Sequence, residues 1–202
     1  RRIADVMSIA PNNLQSLNQI HSTKVITLTA PMAERPQADG LVTNVSGLAL
    51  SALGADCGPV LFADVDAGVI GSCHAGWRGA VFGVTTRTVE AMEALGATRN
   101  NIRAVLGPCI SQDNYEVGHD FRDSIVAERD SFDAFFRAGD SGKPHFDLKG
   151  FILEKLKRAG LSHIATLPDC TYDQKDSYFS YRRNTHDGIE GYGRNLSTII
   201  LR

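Results

Sequence analysis

The stretch "GADCGPVLFADVDAGVIGSCHAGWRGA", residues 54–80, holds two apolar runs separated by a polar turn. Residues 59–65 read as a buried strand, Asp66-Ala67-Gly68 as a turn, and residues 69–73 as the returning strand of a hairpin. The period then changes. Val81, Val84, Thr88, Val89, Met92 and Leu95 fall on one helical face, and Gly96 ends the pattern, which predicts one helix over 81–95. The same stretch concentrates reactive side chains: Cys57, Cys73, His74, Trp77 and Arg78 all lie within it.

Toward the N-terminus, residues 2–9 read as the end of a helix, broken by Pro11-Asn12-Asn13. Residues 14–20 and 24–29 form short strands around His21-Ser22-Thr23, followed by strands at 40–44 and 48–53. Toward the C-terminus, 102–106 is a strand closed by Gly107-Pro108, and a helix lies around 121–128. Asp147 can cap a helix that carries Leu148, Ile152, Leu156 and Ala159 on one face and stops at Gly160. Residues 163–167 and 194–201 close the chain as strands. Strands outnumber helices and several pair as hairpins. The expected class is α+β, with mixed, largely antiparallel β-sheets packed with helices in a layered single domain over 1–202.

The 202 residues carry a formal net charge of −2, which argues against a nucleic-acid binder held by phosphate contacts. With 43% hydrophobic residues the chain can build a core, yet no apolar run approaches the roughly 18 residues that span a bilayer. Cys57, Cys73, Cys109 and Cys170 are widely spaced and form no CxxC, so reduced thiols and a cytoplasmic setting are expected rather than disulfides or a zinc ribbon. The expected partners are small-molecule substrates, and the expected assembly is a monomer or homodimer. The chain begins at Arg1-Arg2 without an initiator Met, so an upstream segment is expected.

Hairpin symmetry brings chemistry together. Cys57 enters the hairpin and His74 leaves it, with the turn near their midpoint, so the two side chains are expected to face each other at one end. A thiolate and an imidazole so placed can bind a metal or form a nucleophile–base pair. Cys73, one residue earlier on the strand, points to the other face and reads as a buried thiol. Gly76 and Gly79 permit close backbone approach. The start of the following helix, with Arg78, offers a place for an anion such as phosphate.

The stretches "LNQIHSTKV" (17–25), "ADGLVT" (38–43), "GADCGPVLFAD" (54–64), "HAGWRGAV" (74–81), "LGPCISQDNYEVG" (106–118) and "YFSYRRN" (178–184) occur in one order over nearly the whole chain. In these the chain resembles the YfiH-type laccase-domain family, described as multicopper polyphenol oxidases or purine nucleoside phosphorylases. The resemblance implies metal ligands at His21, Cys57 and His74, for zinc or else copper, with Asp56 as an outer partner. Ser22 stands where the family often has glycine, and the resemblance implies a further β-rich segment ahead of Arg1.

Among the remaining candidates, Cys57, His74 and Arg78 are expected to be catalytic. Arg78, Cys109, Tyr115 and Arg182 are expected to bind substrate, with Glu116 and Arg183 as neighbours. His119, His145, His163, His186 and Cys170 are read as ordinary structural residues. The activity implied by the resemblance is a zinc-dependent purine nucleoside phosphorylase with adenosine deaminase and methylthioadenosine phosphorylase activity, using purine nucleoside and phosphate. The alternatives are a copper-dependent polyphenol oxidase, for which six histidines are too few to build a multicopper cluster, and an amide hydrolase editing UDP-muramyl-serine precursors.

Overall fold

A computed structural model describes residues 2–202. Its strands are β1 (Leu14–Gln15), β2 (Val25–Leu28), β3 (Gly40–Thr43), β4 (Ala49–Gly54), β5 (Gly58–Asp64), β6 (Val69–Ala75), β7 (Arg103–Leu106), β8 (Phe136–Ala138), β9 (Pro144–Phe146), β10 (His163–Thr166) and β11 (Asn195–Ile200). Its α-helices are α1 (Arg2–Val6), α2 (Trp77–Phe82), α3 (Val84–Ala94), α4 (His119–Glu128), α5 (Leu148–Arg158) and α6 (Tyr181–His186).

The expected hairpin lies at the centre. β5 and β6 pair antiparallel inside a six-stranded sheet of order β10-β7-β5-β6-β3-β2. A three-stranded sheet, β1-β4-β11, packs on one face of it through β4 and β11. Helices α3 and α5 cover the other face. A separate β8-β9 pair completes the set. Antiparallel pairings dominate, with parallel ones at β1–β4, β2–β3 and β7–β10, so the class is the mixed, largely antiparallel α+β arrangement expected. No helix among the described residues is long and apolar enough to cross a membrane.

The layering follows from the side-chain period of a strand. All seven residues of β6 are buried, because β6 has a neighbouring layer on both faces. On β3, Leu41 enters the core between the sheets with Leu48, Leu50 and Ile70. Its neighbour Val42 enters the core under the helices with Val60, Met92 and Phe151. Cys73 also faces the helical side, where burial pushes its thiol up to about 12. His74 consequently faces the other way.

Three local expectations change. The single helix over 81–95 is two helices, because the chain turns at Gly83 with φ 99, a left-handed value suited to glycine. The first of them starts at Trp77, four residues before the apolar face that announced it. The strand expected at 14–20 is paired only over Leu14–Gln15 and at an isolated bridge between Asn18 and Gln37, and the rest is loop. The hairpin pairs Gly58 with Ala75 and Pro59 with His74, two residues in register from the expected Cys57–His74 pair, so Cys57 stands just outside β5. The short α6 and the β8–β9 pair carry no pattern that announces them.

The cap at Asp147 is as expected: its side chain accepts a hydrogen bond from Gly150 N at 2.8 Å. Asp147→Ala is expected to cost about 1 kcal/mol, read as a lower midpoint in urea at unchanged slope.

Candidate active site

The site is built on a loop that would not hold its shape alone. Residues 16–23 run past the end of the six-stranded sheet, and His21 sits at φ 60, a left-handed conformation that is uncommon outside glycine. Two side chains hold it there. The Gln19 amide donates to Leu53 O at 2.6 Å and accepts from Leu53 N at 2.8 Å, clipping the loop to β4. Asp39, which is 1% exposed, accepts from the backbone N–H groups of Ile20, His21 and Ser22 and from the Ser22 hydroxyl. These bonds offset the backbone strain, which is of order 1–3 kcal/mol.

Asp39 also reaches across to β6. His74 Nδ1 donates to Asp39 Oδ1 at 2.9 Å, in a site where His74 is 4% exposed. With Nδ1 bonded to Asp39, Nε2 is the ring nitrogen of His74 left for the cavity. Burial alone raises a carboxyl, but the bonds from His74 and Ser22 overcome it and hold Asp39 down to about 2. The same pairing, together with Cys57, overcomes the opposite effect of burial on His74 and raises it to about 9. At Cys57 burial again raises the thiol, and hydrogen bonding to His21 and His74 outweighs it, bringing the group to about 7.

Cys57 Sγ lies 3.8 Å from His21 Nε2, and the His21 and His74 rings meet edge to face with centroids 4.9 Å apart. One ligand atom from each of His21, Cys57 and His74 lies within 4.8 Å of the others. Gly76 completes the cradle. A Cβ built there would fall 2.7 Å from His21 Cδ2 and 3.0 Å from Cys57 Sγ, so any side chain at this position would intrude on the cluster. One thiolate and two imidazoles around a space kept clear of side chains suit a metal ion with an open fourth position. Among the described residues this is the one group of three or more such donors so arranged.

The cluster opens into a cavity of about 540 Å³ whose lining includes Gln19, Arg35, Tyr181, Tyr192 and Arg194 beside the three donors. Over residues 1–202 the sequence matches the family described as multi-copper polyphenol oxidoreductase laccase. The chain belongs to that family. Within it, a purine nucleoside phosphorylase of Corynebacterium glutamicum is 36% identical over 190 residues, 93% of this chain and 76% of that protein. One from Streptomyces griseus is 37% identical over 195 residues, 95% of this chain and 78% of that protein. Among solved structures, the Neisseria meningitidis protein NMB0706 superposes with a TM-score of 0.85 at 33% identity, covering 98% of this chain and 78% of that one. The Bacillus licheniformis hypothetical protein YfiH gives 0.87 at 27% identity, covering 100% and 79%. This laccase-family chain is thus related to enzymes over nearly its whole length.

The other residues singled out in the sequence divide. Arg78 does not join the cluster. Because α2 begins at Trp77, Arg78 lies in the first turn of the helix rather than ahead of it, is exposed, and lines neither this cavity nor the next. Cys109 lines neither this cavity nor the next: it is fully buried, bridges in backbone to Cys170, and has its thiol pushed up to about 12 by burial. Tyr115 and Arg182 line a second cavity of about 460 Å³ with Trp77, Glu116, Phe121 and Lys143. There the Arg182 guanidinium stacks 5.3 Å over the Tyr115 ring and donates to Glu116 O. Arg183 is spent on the carbonyls of Thr171, Tyr172 and Tyr178, which makes it a brace.

Asp56 is not the partner of a ligand. At φ 88 it accepts from Thr171 Oγ1 and from Arg182 N, tying the turn that carries Cys57 to the C-terminal segment. The orienting carboxylate is Asp39, which the sequence reading passed over although it lies in "ADGLVT". Its signal was an acidic residue at the entrance of an otherwise apolar strand. Asp39→Asn should weaken zinc binding about 10- to 100-fold, measured by competition with a chromogenic chelator. An unchanged affinity would show that His74 is oriented by its strand alone.

Proposed function

We propose that this chain is a zinc-dependent purine nucleoside phosphorylase that also deaminates adenosine and cleaves methylthioadenosine. The observation that carries the reading is the His21–Cys57–His74 cluster lining a cavity of about 540 Å³ that Tyr181 and Tyr192 also line. The names of the relatives support the substrate class.

Zinc bound by the three residues would supply Lewis acidity and an activated water near neutral pH. The protein's own groups do the rest. Asp39 keeps the proton on His74 Nδ1 and so keeps Nε2 directed at the cavity. The Tyr181 and Tyr192 rings, 5.1 Å apart in a T-shaped pair, give a purine an aromatic surface to lie against. In phosphorolysis a phosphate oxygen bonds to C1′ and the C1′–N9 bond breaks. The electron pair leaves with N9, which takes a proton, giving free base and ribose 1-phosphate. In deamination water adds at C6 and ammonia leaves, giving inosine.

The single donor cluster favours this reading over phenol oxidation by several coppers. The four remaining histidines are placed apart: His145 bonds to Gln112 O, His186 to the Tyr172 hydroxyl, and His119 on α4 and His163 on β10 are exposed. The test is to incubate zinc-loaded protein with adenosine, with and without phosphate, and to separate adenine, inosine and hypoxanthine. Adenine appearing only with phosphate supports phosphorolysis. Absence of any product from adenosine, inosine or methylthioadenosine, with zinc bound, would overturn the reading.

A further inference from the structure

The cavity beside the cluster is cationic in a chain whose net charge is negative. Apart from the donors of the cluster, its charged lining residues are Arg35 and Arg194, and no carboxylate lines it. Elsewhere the arginines mostly end on partners: Arg99 on Glu93, Arg122 on Asp133, Arg158 on Glu154. Arg35 and Arg194 have neither an ion pair nor a side-chain hydrogen bond among the described residues. Arg194 rests only over the Tyr192 ring, at 5.6 Å.

Both arginines spring from anchored backbone. Arg35 precedes Pro36, whose carbonyl accepts from Asn18 N, so its segment is fastened to the loop that carries His21. Arg194 precedes Asn195, whose amide donates to Phe179 O and accepts from Phe179 N, each at 2.9 Å. Two exposed guanidinium groups from separate segments, without acidic partners, line one cavity, and guanidinium N–H groups suit the oxygens of a tetrahedral anion.

We propose that Arg35 and Arg194 form a phosphate-binding subsite in the cavity of the His21–Cys57–His74 cluster. Its occupant is a phosphate group, either free orthophosphate as the second substrate or the 5′-phosphate of a purine nucleotide. The proposal rests on the phosphorylase reading for its purine partner, but not for its anion. It moves the anion away from Arg78, which lies outside the cavity.

The test uses zinc-loaded protein, wild type and Arg35→Gln/Arg194→Gln, titrated calorimetrically with orthophosphate, with adenosine 5′-monophosphate and with adenosine. The phosphate KM is measured in parallel wherever turnover occurs. Arg103→Gln, an exposed residue of β7, is the control. The expected result is a loss of about tenfold to hundredfold in phosphate or nucleotide affinity in the double variant, with adenosine affinity and bound zinc unchanged. A loss confined to orthophosphate identifies the free anion, and one confined to the nucleotide identifies the ester. If this loss is seen without any phosphorolysis, the subsite stands and the phosphorylase reading fails. If wild type binds neither phosphate compound, or the double variant binds both as wild type does, the subsite is overturned even where phosphorolysis is observed.

Discussion

Cys57→Ala is expected to lower zinc affinity by more than the ~100-fold that loss of an outer partner can cost, and to abolish turnover. The substitution removes the one anionic donor of the cluster. His21 and His74 remain, but two neutral imidazoles neither compensate the charge of the ion nor hold it as firmly as a set that includes a thiolate. The fold should be little affected. Cys57 is half-buried and stands one residue outside β5, so its side chain bridges no core layer and the β5–β6 pairing does not run through it. Zinc per chain by atomic emission, together with the urea midpoint of the metal-free protein, separates the two effects. Wild-type turnover in a zinc-depleted Cys57→Ala preparation would remove the cluster from the mechanism.

The hairpin could be read from the sequence because its apolar runs are long, its turn is polar, and both strands are buried. That reading placed Cys57 and His74 at one end, with the pairing displaced by two residues, which keeps the same side-chain face. The loop of His21 could not be read that way. Its form depends on Asp39, which lies 35 residues from His74 and 18 from His21, and no local pattern records such a closure. Arg78 misled for a related reason. The apolar face of the helix begins at Val81, but the helix itself begins at Trp77, where Gly76 rather than an apolar residue sets the start. Gly107, two residues ahead, suggested close backbone approach at Cys109, whereas Cys109 is fully buried beside Cys170. The β8–β9 pair is short and persists through tertiary contacts such as the Phe121, Phe136 and Phe146 rings, and the short α6 is held by the Ser180 side-chain cap.

Gly76→Ala tests the site without touching a ligand. Glycine is commonly explained by a backbone angle, but Gly76 has φ −68 and ψ 166, values open to any residue. As the residue ahead of α2 it supplies no side-chain cap, so an alanine there gives up no hydrogen bond. What forbids a side chain is the site itself. The added Cβ would stand 2.7 Å from His21 Cδ2, 3.0 Å from Cys57 Sγ and 3.3 Å from His21 Nε2. In the metal-free protein the His21 ring can swing toward the open cavity, and relief of the overlap should cost about 1–3 kcal/mol. With zinc bound, His21 must return to the position that the methyl group occupies. Zinc affinity is therefore expected to fall by about 100-fold or more, while the metal-free protein stays folded, with an unchanged urea slope and a modestly lower midpoint. Chelator competition and urea unfolding on the same preparation give both numbers. Wild-type zinc affinity in Gly76→Ala would mean that His21 does not approach the ion along the line that Gly76 leaves clear, and the ligand set would reduce to Cys57 and His74.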